Sequence, residues 1–537
     1  MEIRKFEQKG NEVSMTLSVR GTQNTFTGKL APEGESAGQV LGIMRFFGRV
    51  YPARLEKTEA EKVAGAAGPP PGIQELTAAR EAPAGKARIQ KLQAALGSLK
   101  GPAKSMAYQL ILESAAAAEL TEAQVREKLA EWVGIAKPYG EELADEYRSS
   151  AMRALQGKKP YAGLCLELAL DGEKKLPEKA LRPIKLAAFQ SIASAAKLAG
   201  KADLSAKYAT MCLELAQEAE KELPGTATLA QQSAAMKSVL NFAKLAGKAD
   251  LAGEYAPRIE KIEHQLDEEY HAKVPPYKPE AFAGRENKAH DRVVLLELFT
   301  GAQCPPCVAA DVAFDGLLST YKPTELVTLQ YHLHIPGPDP LTNADSESRS
   351  KFYAVRGTPS LYFNGKFAGE FDPQLAGGGG MAGAEAKYGQ YRKVIEGQLA
   401  ANKDAKIDLR LTRSGDRIIV SGAATAKGEE GAKLRVRLAI TEEVVKYVGS
   451  NQLRFHHHVV RGLPGGVEGK EIVAGECVLN QTIDLAEMRQ TLADYVEGKT
   501  FANDPPAVGN ELSLVAFIQN DADKSVLHAV VVPLPAK

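Results

Sequence analysis

Hydrophobic and polar residues alternate along the first part of the chain, as at the apolar positions Val13, Met15 and Leu17. Because side chains of a strand point to opposite faces in turn, this period of two predicts a small antiparallel β domain over residues 1–58. The segment 59–74 is rich in Ala and Gly and contains three consecutive prolines, which interrupt both helices and strands. We therefore predict a linker there.

Residues 75–272 carry Ala, Leu, Glu and Lys at helical spacing, and the pattern repeats. Residues 161–177 match residues 208–224 at eleven of seventeen positions, with an offset of 47. At the same offset, residues 196–204 match residues 243–251 at all nine positions. A period of this length, with two helical patterns in each unit, predicts stacked helical hairpins.

The repeat units break at Gly200 and Gly247, and an aspartate follows each glycine three residues later. A carboxylate accepts hydrogen bonds from the free N–H groups of a first helical turn, so we predict Asp203 and Asp250 as N-caps. Pro257 falls within the second helix of a third copy and predicts a kink or a capping unit there.

Three further segments follow the repeats. A proline-rich spacer at residues 273–289 is predicted to be stiff. Strand and helix patterns alternate over residues 290–402, which predicts an α/β domain. Alternating apolar positions return over residues 403–537, interrupted by one helical pattern at residues 487–497, and they predict an immunoglobulin-like β-sandwich. The sequence thus predicts a multidomain α+β protein.

Composition narrows the function classes. The chain of 537 residues has 67 basic and 67 acidic residues, and no dense block of Lys and Arg, so nucleic acid is not expected as a partner. No run reaches the roughly 18 apolar residues of a membrane helix, so no transmembrane segment is predicted. Five scattered cysteines are too few for a disulfide-stapled scaffold.

Only two cysteines lie close in sequence, Cys304 and Cys307, and two prolines separate them. They follow the apolar run 293–299 and precede the helical pattern 308–318, which places them at a strand-to-helix turn. Two cysteines at this spacing can close a small disulfide, and the start of a helix favours the attacking thiolate. The pattern indicates thiol–disulfide exchange.

Other interpretations of the two cysteines are a structural disulfide or a metal site. Zinc needs four ligands, and no second cysteine pair exists, so His332 and His334 would complete a site only by a coincidence of the fold. A soft metal such as Cu(I) favours neighbouring methionine, and the nearest is Met381. We therefore predict no metal, and no cofactor beyond the Cys304–Cys307 disulfide.

A second element supports the redox interpretation. Residues 357–365 read Gly-Thr-Pro-Ser-Leu-Tyr-Phe-Asn-Gly, a strand that begins after Thr358 and Pro359 and ends in an Asn-Gly hairpin turn. Together with the dithiol, this segment resembles the thioredoxin superfamily. The resemblance implies that a cis-proline loop faces the dithiol and that the backbone of Thr358 pairs with the substrate peptide.

The same resemblance implies the roles of the two cysteines. Cys304 would be the more exposed residue and the nucleophile that forms a mixed disulfide, and Cys307 would resolve it. The residues agree with this assignment, because the helix dipole lowers the pKa of a thiol at the helix start, whereas Cys307 lies one turn in. His332, on the next predicted strand, is expected to be a packed histidine that supports the site.

Residues 290–400 also contain Glu297-Leu298-Phe299-Thr300, Ala310-Asp311, Tyr331-His332, Asp339, Arg349 and Tyr353 around the dithiol and the Thr358-Pro359 step. With these residues the segment looks like a group of secreted bacterial thioredoxin-like proteins, and the last domain is weakly similar to the tail of outer-membrane-associated relatives. Gln303 stands where thioredoxins carry a tryptophan. Glu297 is the nearest counterpart of the family's buried acid, and a desolvated carboxylate there would accept a proton from Cys307. Pro305 removes a backbone N–H, and with Pro306 it stiffens the ring, so the redox potential is not predictable.

These observations predict a thiol–disulfide oxidoreductase that acts on protein thiols and disulfides, with an electron donor that the sequence does not indicate. The helical repeats and the β-sandwich would recognise the partner. The alternative is a non-catalytic scaffold of an extracytoplasmic assembly, whose disulfide stays closed. The resemblance favours the periplasm or the cell surface, although Met1–Lys5 lacks the apolar core of a leader, and the cytoplasm remains the alternative.

Overall fold

The computed structural model describes residues 2–19, 22–31, 38–46, 49–56, 72–82, 85–403, 405–427, 431–497, 499, 501 and 503–536. Over these residues the protein is multidomain and mixed α/β, with an N-terminal sheet and further sheets in the C-terminal half. It divides into two compact units, residues 1–263 and 264–537. Most of the predicted linker at residues 59–74 lies outside the described residues.

The first unit begins with an antiparallel sheet in which each described strand pairs with the next. Its strands are β1 (Glu2–Lys9), β2 (Glu12–Val19), β3 (Thr22–Leu30), β4 (Val40–Phe46) and β5 (Arg49–Leu55). The alternating apolar residues Val13, Met15 and Leu17 are buried on one face together with Phe26. The predicted period of two is therefore confirmed, since polar positions between them stay more exposed.

Helices follow the sheet, and the predicted helical pattern is confirmed. They are α1 (Ile73–Glu81), α2 (Lys86–Ala95), α3 (Gly101–Ser114), α4 (Glu122–Ala136), α5 (Glu141–Leu155), α6 (Ala162–Lys174), α7 (Arg182–Leu198), α8 (Ala202–Lys221), α9 (Leu229–Leu245) and α10 (Ala249–Lys273). The 47-residue offset carries α6 onto α8 and α7 onto α9, so equivalent helices recur along the array.

The breaks between these helices use glycine as predicted, but the aspartates do not cap. Gly200 and Gly247 adopt φ of 70° and 69°, the left-handed conformation that ends a helix without steric cost. Lys201 is the N-cap of α8, and Asp203 lies inside its first turn, where its charge complements the helix dipole. Asp250 likewise lies within the first turn of α10. The N-cap prediction for Asp203 was wrong because the helix begins earlier.

The second unit carries the remaining elements. They are β6 (Val294–Thr300), α11 (Val308–Thr320), β7 (Leu326–His332), α12 (Ala344–Phe352), β8 (Ser360–Phe363), β9 (Lys366–Phe367), α13 (Ala368–Phe371), α14 (Ala384–Leu399), β10 (Ala405–Ser414), β11 (Arg417–Ala426), β12 (Leu434–Lys446), β13 (Phe455–Gly462), β14 (Lys470–Glu471), β15 (Glu476–Asp484), α15 (Leu485–Val496), β16 (Leu512–Asn520) and β17 (Val526–Pro533).

Strands of the two predicted C-terminal domains lie in one sheet. Its order over the described residues is β17-β16-β12-β13-β7-β6-β8-β9, with β14 beside β12, and β13 joins β7 through the parallel pair Val459 and Gln330. A second sheet, β10-β11-β15, packs its apolar side chains with those of β12 and β16 in a common core. The segments 290–402 and 403–537 are therefore joined by backbone pairing.

The strand β6, which leads to the dithiol, is covered on both faces. Leu296 and Leu298 pack against α11 and α14, whereas Leu295 and Phe299 pack on the opposite face with residues of β12 and β16. Both faces are buried, so every residue of β6 is inaccessible to solvent. Among the described helices, none is long and apolar enough to cross a membrane.

Candidate redox site

The dithiol lies where β6 ends and α11 begins. A single 3-10 turn, Pro305–Cys307, connects the two elements, and Cys304 precedes it in an extended conformation. The prolines fit there because the first residues of a helix need no N–H partner and proline fixes φ near the helical value. Cys304 and Cys307 form a disulfide with Cα atoms 5.4 Å apart. The predicted strand-to-helix placement is confirmed.

Thr358, which with Pro359 was predicted to face the dithiol, contacts Cys304. The Oγ1 of Thr358 donates a hydrogen bond to Sγ of Cys304 at 3.3 Å, and the carbonyl oxygen of Thr358 lies 3.8 Å from the same sulfur. The Thr358–Pro359 peptide bond is cis. The strand β8 follows at once, and its Asn364-Gly365 turn into β9 has positive φ at both residues, as a two-residue hairpin requires.

Burial of the two cysteines differs from the expectation that Cys304 is the exposed one. Cys304 is only 1% exposed and Cys307 is fully buried, whereas Pro305 and Pro306 between them are exposed. The rim of the site is therefore formed by the proline ring edges. A partner sulfur reaches Cys304 only after a small displacement of the residues around it.

Glu297 lies on the face of β6 that points away from α11. Its carboxylate accepts two hydrogen bonds from Arg349, at 2.9 and 3.0 Å, and one from the hydroxyl of Tyr353 at 2.6 Å. Arg349 also stacks over the ring of Phe517 on β16. Since Glu297 and Arg349 are both fully buried, this bidentate pair joins β6 to α12 and leaves Glu297 remote from Cys307.

The structure buries a different acid, Asp311, close to the dithiol in sequence. Asp311 lies one helical turn beyond Cys307 and is buried. Its Oδ2 accepts a hydrogen bond from Thr300 at 2.9 Å, and its Oδ1 accepts one from Gln330 at 3.2 Å. Burial raises the pKa of Asp311 well above its usual value; the Thr300 hydroxyl opposes this shift, and nearby carboxylates add to it.

Asp311 belongs to a chain of buried polar side chains. Gln330 accepts a hydrogen bond from Nε2 of His332, 3.2 Å away, and Nδ1 of His332 lies 2.9 Å from Oδ2 of Asp339. The same Asp339 oxygen accepts a hydrogen bond from the backbone N–H of Ala302, two residues before Cys304. The chain thus returns to the turn that carries the dithiol. His332 is a fully buried histidine with both ring nitrogens in contact with polar atoms.

Burial and neighbouring charges shift the pKa values of the side chains in this hydrogen-bonded series. Burial alone would raise the pKa of Asp339, but the neighbouring His332 and the N–H groups of Leu341 and Ala302 hold it below its usual value. His456 packs edge-on against His332, and its burial lowers its pKa to about 3. His456 is therefore neutral at physiological pH.

Asp311 was not recognised as a site residue from the sequence. One signal was present, because an acid four residues after the second cysteine shares its helix face. Most other residues of α11 are apolar and buried, so a charged residue among them stands out as a candidate for a buried polar role. Predicted site residues that do lie together are Cys304, Cys307, Pro305, Pro306, Thr358 and Pro359, while His332 connects to them through Ala302 and Asp339.

The remaining cysteines are separate from the site. Cys165, Cys212 and Cys477 are free and buried. Desolvation raises the pKa of Cys165 and of Cys212 to about 11, which makes them unreactive core residues. Among the described residues, no three His, Cys, Asp or Glu side chains are arranged to hold a metal ion. No protein-family model matches the chain, and no curated protein matches its sequence.

Proposed function

We propose that the protein is a thiol–disulfide oxidoreductase, with a thioredoxin-like arrangement over residues 290–402 and the dithiol Cys304–Cys307 as its reactive group. The observation that carries this proposal is the contact of the Thr358 hydroxyl with Sγ of Cys304, at the start of a helix. A hydroxyl donor and a helix N-terminus both stabilise a thiolate at this sulfur. The site therefore favours the ionised form of Cys304 over the thiol.

The reaction that fits this arrangement transfers two electrons. The Cys304 thiolate attacks one sulfur of a substrate disulfide, forms a mixed disulfide and releases the other substrate sulfur as a thiolate. The Cys307 thiolate then attacks Sγ of Cys304, which breaks the mixed disulfide and releases the second substrate thiolate. The substrate is reduced to a dithiol and the protein is oxidised to its Cys304–Cys307 disulfide; the reverse sequence oxidises a substrate dithiol.

Asp311 is the proton acceptor for Cys307 in this proposal. The second step needs the Cys307 thiol to lose its proton inside a buried site, where bulk water is absent. The raised pKa of Asp311 brings it closer to that of a thiol, so proton transfer from sulfur to carboxylate costs less than transfer to an ordinary carboxylate. Glu297, engaged by Arg349 on the other face of the sheet, has no path to that proton.

Protein cysteines are the proposed substrates, and the periplasm or the cell exterior is the proposed location. Helical repeats offer extended surfaces for partner recognition, and the β-sandwich, proposed to be immunoglobulin-like, offers a second one.

The proposed location agrees with the state of the free cysteines. Free thiols outside the cytoplasm are at risk of oxidation, and burial protects Cys165, Cys212 and Cys477 from it. The three unpaired cysteines are therefore compatible with an extracytoplasmic location.

Trapping tests the proposal directly. A Cys307→Ser variant attacks a substrate but cannot resolve the mixed disulfide, so incubation with a disulfide-containing protein should yield a covalent adduct at Cys304 that dithiothreitol reverses. Cys304→Ser is the matched control and should yield none. Absence of any adduct with Cys307→Ser, in protein that retains its circular dichroism spectrum, would count against catalysis.

A second candidate function rests on the burial of Cys304. Cys304 is only 1% exposed in its disulfide form, so a substrate thiol has little direct access to it in this conformation. A permanently closed disulfide would stabilise the turn between β6 and α11. The protein would then act as a non-catalytic scaffold. The two functions differ in whether the disulfide opens under mild reduction.

A further inference from the structure

A hairpin of the C-terminal β segment lies against the residues that lead into the dithiol. Residues 447–454 connect β12 to β13, and the backbone N–H of Tyr447 donates to the carbonyl of Arg454 at 3.1 Å to close the hairpin. This loop is distant in sequence from the cysteines, yet it contacts residues 301–303, which immediately precede Cys304.

Three hydrogen bonds join the hairpin to that segment. The backbone N–H of Asn451 donates to the carbonyl of Ala302 at 3.1 Å, and its side-chain amide donates to the carbonyl of Gly301 at 3.4 Å. The N–H of Ser450 donates to Oε1 of Gln303 at 3.2 Å. Gln303, the residue in place of the family's tryptophan, thus spans from the dithiol to the hairpin.

Gly449 sets how closely the two segments approach. A Cβ atom at this position would lie 2.1 Å from the carbonyl oxygen of Ala302, and backbone cannot yield to such a contact. The hairpin is also held from behind, because Nε of Arg454 donates to Asp267 at 2.8 Å and Leu453 packs with Val308 of α11. These contacts hold the hairpin in one position beside the residues that precede Cys304.

A glycine-rich strap, residues 377–380, contacts the residues that follow Cys304. The N–H of Gly379 donates to the carbonyl of Pro306 at 2.6 Å, and the carbonyl of Gly379 accepts from Ala309 at 2.9 Å. A Cβ on Gly378 would lie 2.4 Å from that same Pro306 oxygen. Thr358 thus contacts the sulfur of Cys304 itself, the hairpin contacts the residues before Cys304, and the strap contacts Pro306 and Ala309 after it.

We propose that the hairpin 447–454 determines the substrate specificity of the dithiol, by admitting extended cysteine-containing segments and excluding the surfaces of folded proteins. The inference rests on the proposed function and names its substrate class. Sulfur exchange needs the incoming sulfur in contact with Sγ of Cys304. Cys304 is 1% exposed, and the residues on either side of it in sequence are held by the hairpin and the strap, so a single extended chain reaches the sulfur more readily than a flat surface does.

The chemistry of the rim agrees with that substrate class. The exposed residues of the hairpin tip, Ser450 and Gln452, are uncharged, as are the glycines of the strap and Pro305 and Pro306. A neutral rim of backbone and small polar groups binds main-chain amides of any sequence and gives no charge preference. Unfolded or unstructured cysteine segments present those amides, whereas a folded protein has already paired them.

Size-selective alkylation tests the inference without requiring turnover. In a Cys307→Ser background, Cys304 is labelled with iodoacetamide or with a bulky polyethylene-glycol maleimide, and peptide mass spectrometry assigns the label to Cys304. Replacing residues 449–452 by two glycines should raise the rate with the bulky reagent about tenfold and leave the iodoacetamide rate within about twofold. Ser450→Trp should lower the bulky-reagent rate by a similar factor.

Val473→Trp is the matched control, because Val473 is an exposed turn residue of the same β segment, and it should change neither rate. Should the shortened hairpin fail to fold, as judged by its melting temperature, Ser450→Trp alone decides. Equal ratios of the two rates in wild-type protein and the hairpin variants would overturn the specificity inference while leaving catalysis intact. No labelling of Cys304 by iodoacetamide would instead contradict the proposed function itself.

Discussion

Asp311 lies four residues beyond Cys307, the residue at which α11 is capped, and both side chains are buried. This relationship pairs a thiol that must lose a proton with a carboxyl group whose pKa is raised by burial. Thr300 and Gln330 hold the carboxyl group from the strand side, so its orientation is fixed. The resolving half of the dithiol thus has its own acid–base partner.

Asp311→Asn should slow the resolution of the mixed disulfide. The amide keeps an acceptor for Gln330 and a group that Thr300 can bind, but it accepts no proton. We expect the single-turnover rate of substrate thiol release near neutral pH to fall about 100-fold, as loss of a general base typically causes. The rate at which Cys304 is alkylated, which reports on the reactivity of the attacking thiolate, should be unaffected. Equal release rates for Asp311→Asn and wild type would contradict the assignment.

The same substitution should stabilise the protein near neutral pH. A carboxyl group whose folded pKa is raised is harder to ionise in the folded state than in the unfolded state, so its contribution to stability is greatest below its unfolded pKa and is lost as pH rises. We therefore expect the free energy of unfolding of Asp311→Asn to exceed that of wild type at pH 7. Urea unfolding at pH 7 and at pH 3 tests this, since the gain should vanish at pH 3.

Much of this arrangement follows from sequence pattern. The predicted helix after Cys307 and the predicted strand that carries His332 were confirmed, as was the Asn364-Gly365 turn. The face of Glu297 was not predictable, because a strand buried on both sides is apolar throughout and its periodicity does not tell one face from the other. The contact of hairpin 447–454 with Ala302 was likewise hidden, since it depends on long-range pairing of β13 with β7.

Thr358→Val should raise the pKa of the Cys304 thiol. The substitution keeps the shape of the side chain but removes the hydroxyl that donates to Sγ, and a hydrogen bond to a charged group is worth about 1.5–3 kcal/mol. We expect a shift of about one pKa unit upward, measured from the pH dependence of iodoacetamide labelling in the Cys307→Ser background. Thr358→Ser restores the donor and should restore the pKa, which separates the hydroxyl from simple packing.

Glu297→Gln separates a structural from a catalytic role for Glu297. Removing one partner of a buried ion pair leaves the Arg349 charge uncompensated, so we expect a loss of about 3–5 kcal/mol in the free energy of unfolding. Because Glu297 lies on the far face of β6, the release rate in the folded variant should equal that of wild type. A slowed release with normal stability would return the proton-acceptor role to Glu297.

Redox equilibration is the most direct test of whether the dithiol turns over. The protein is equilibrated in glutathione buffers of graded potential, the thiols of Cys304 and Cys307 are quantified by mass spectrometry, and reduction of a disulfide-containing protein is followed in parallel. We predict reversible two-electron opening of the disulfide, with substrate reduction that Cys304→Ser abolishes. A disulfide that stays closed in reducing buffer, with no substrate turnover, would contradict catalysis and leave the scaffold function.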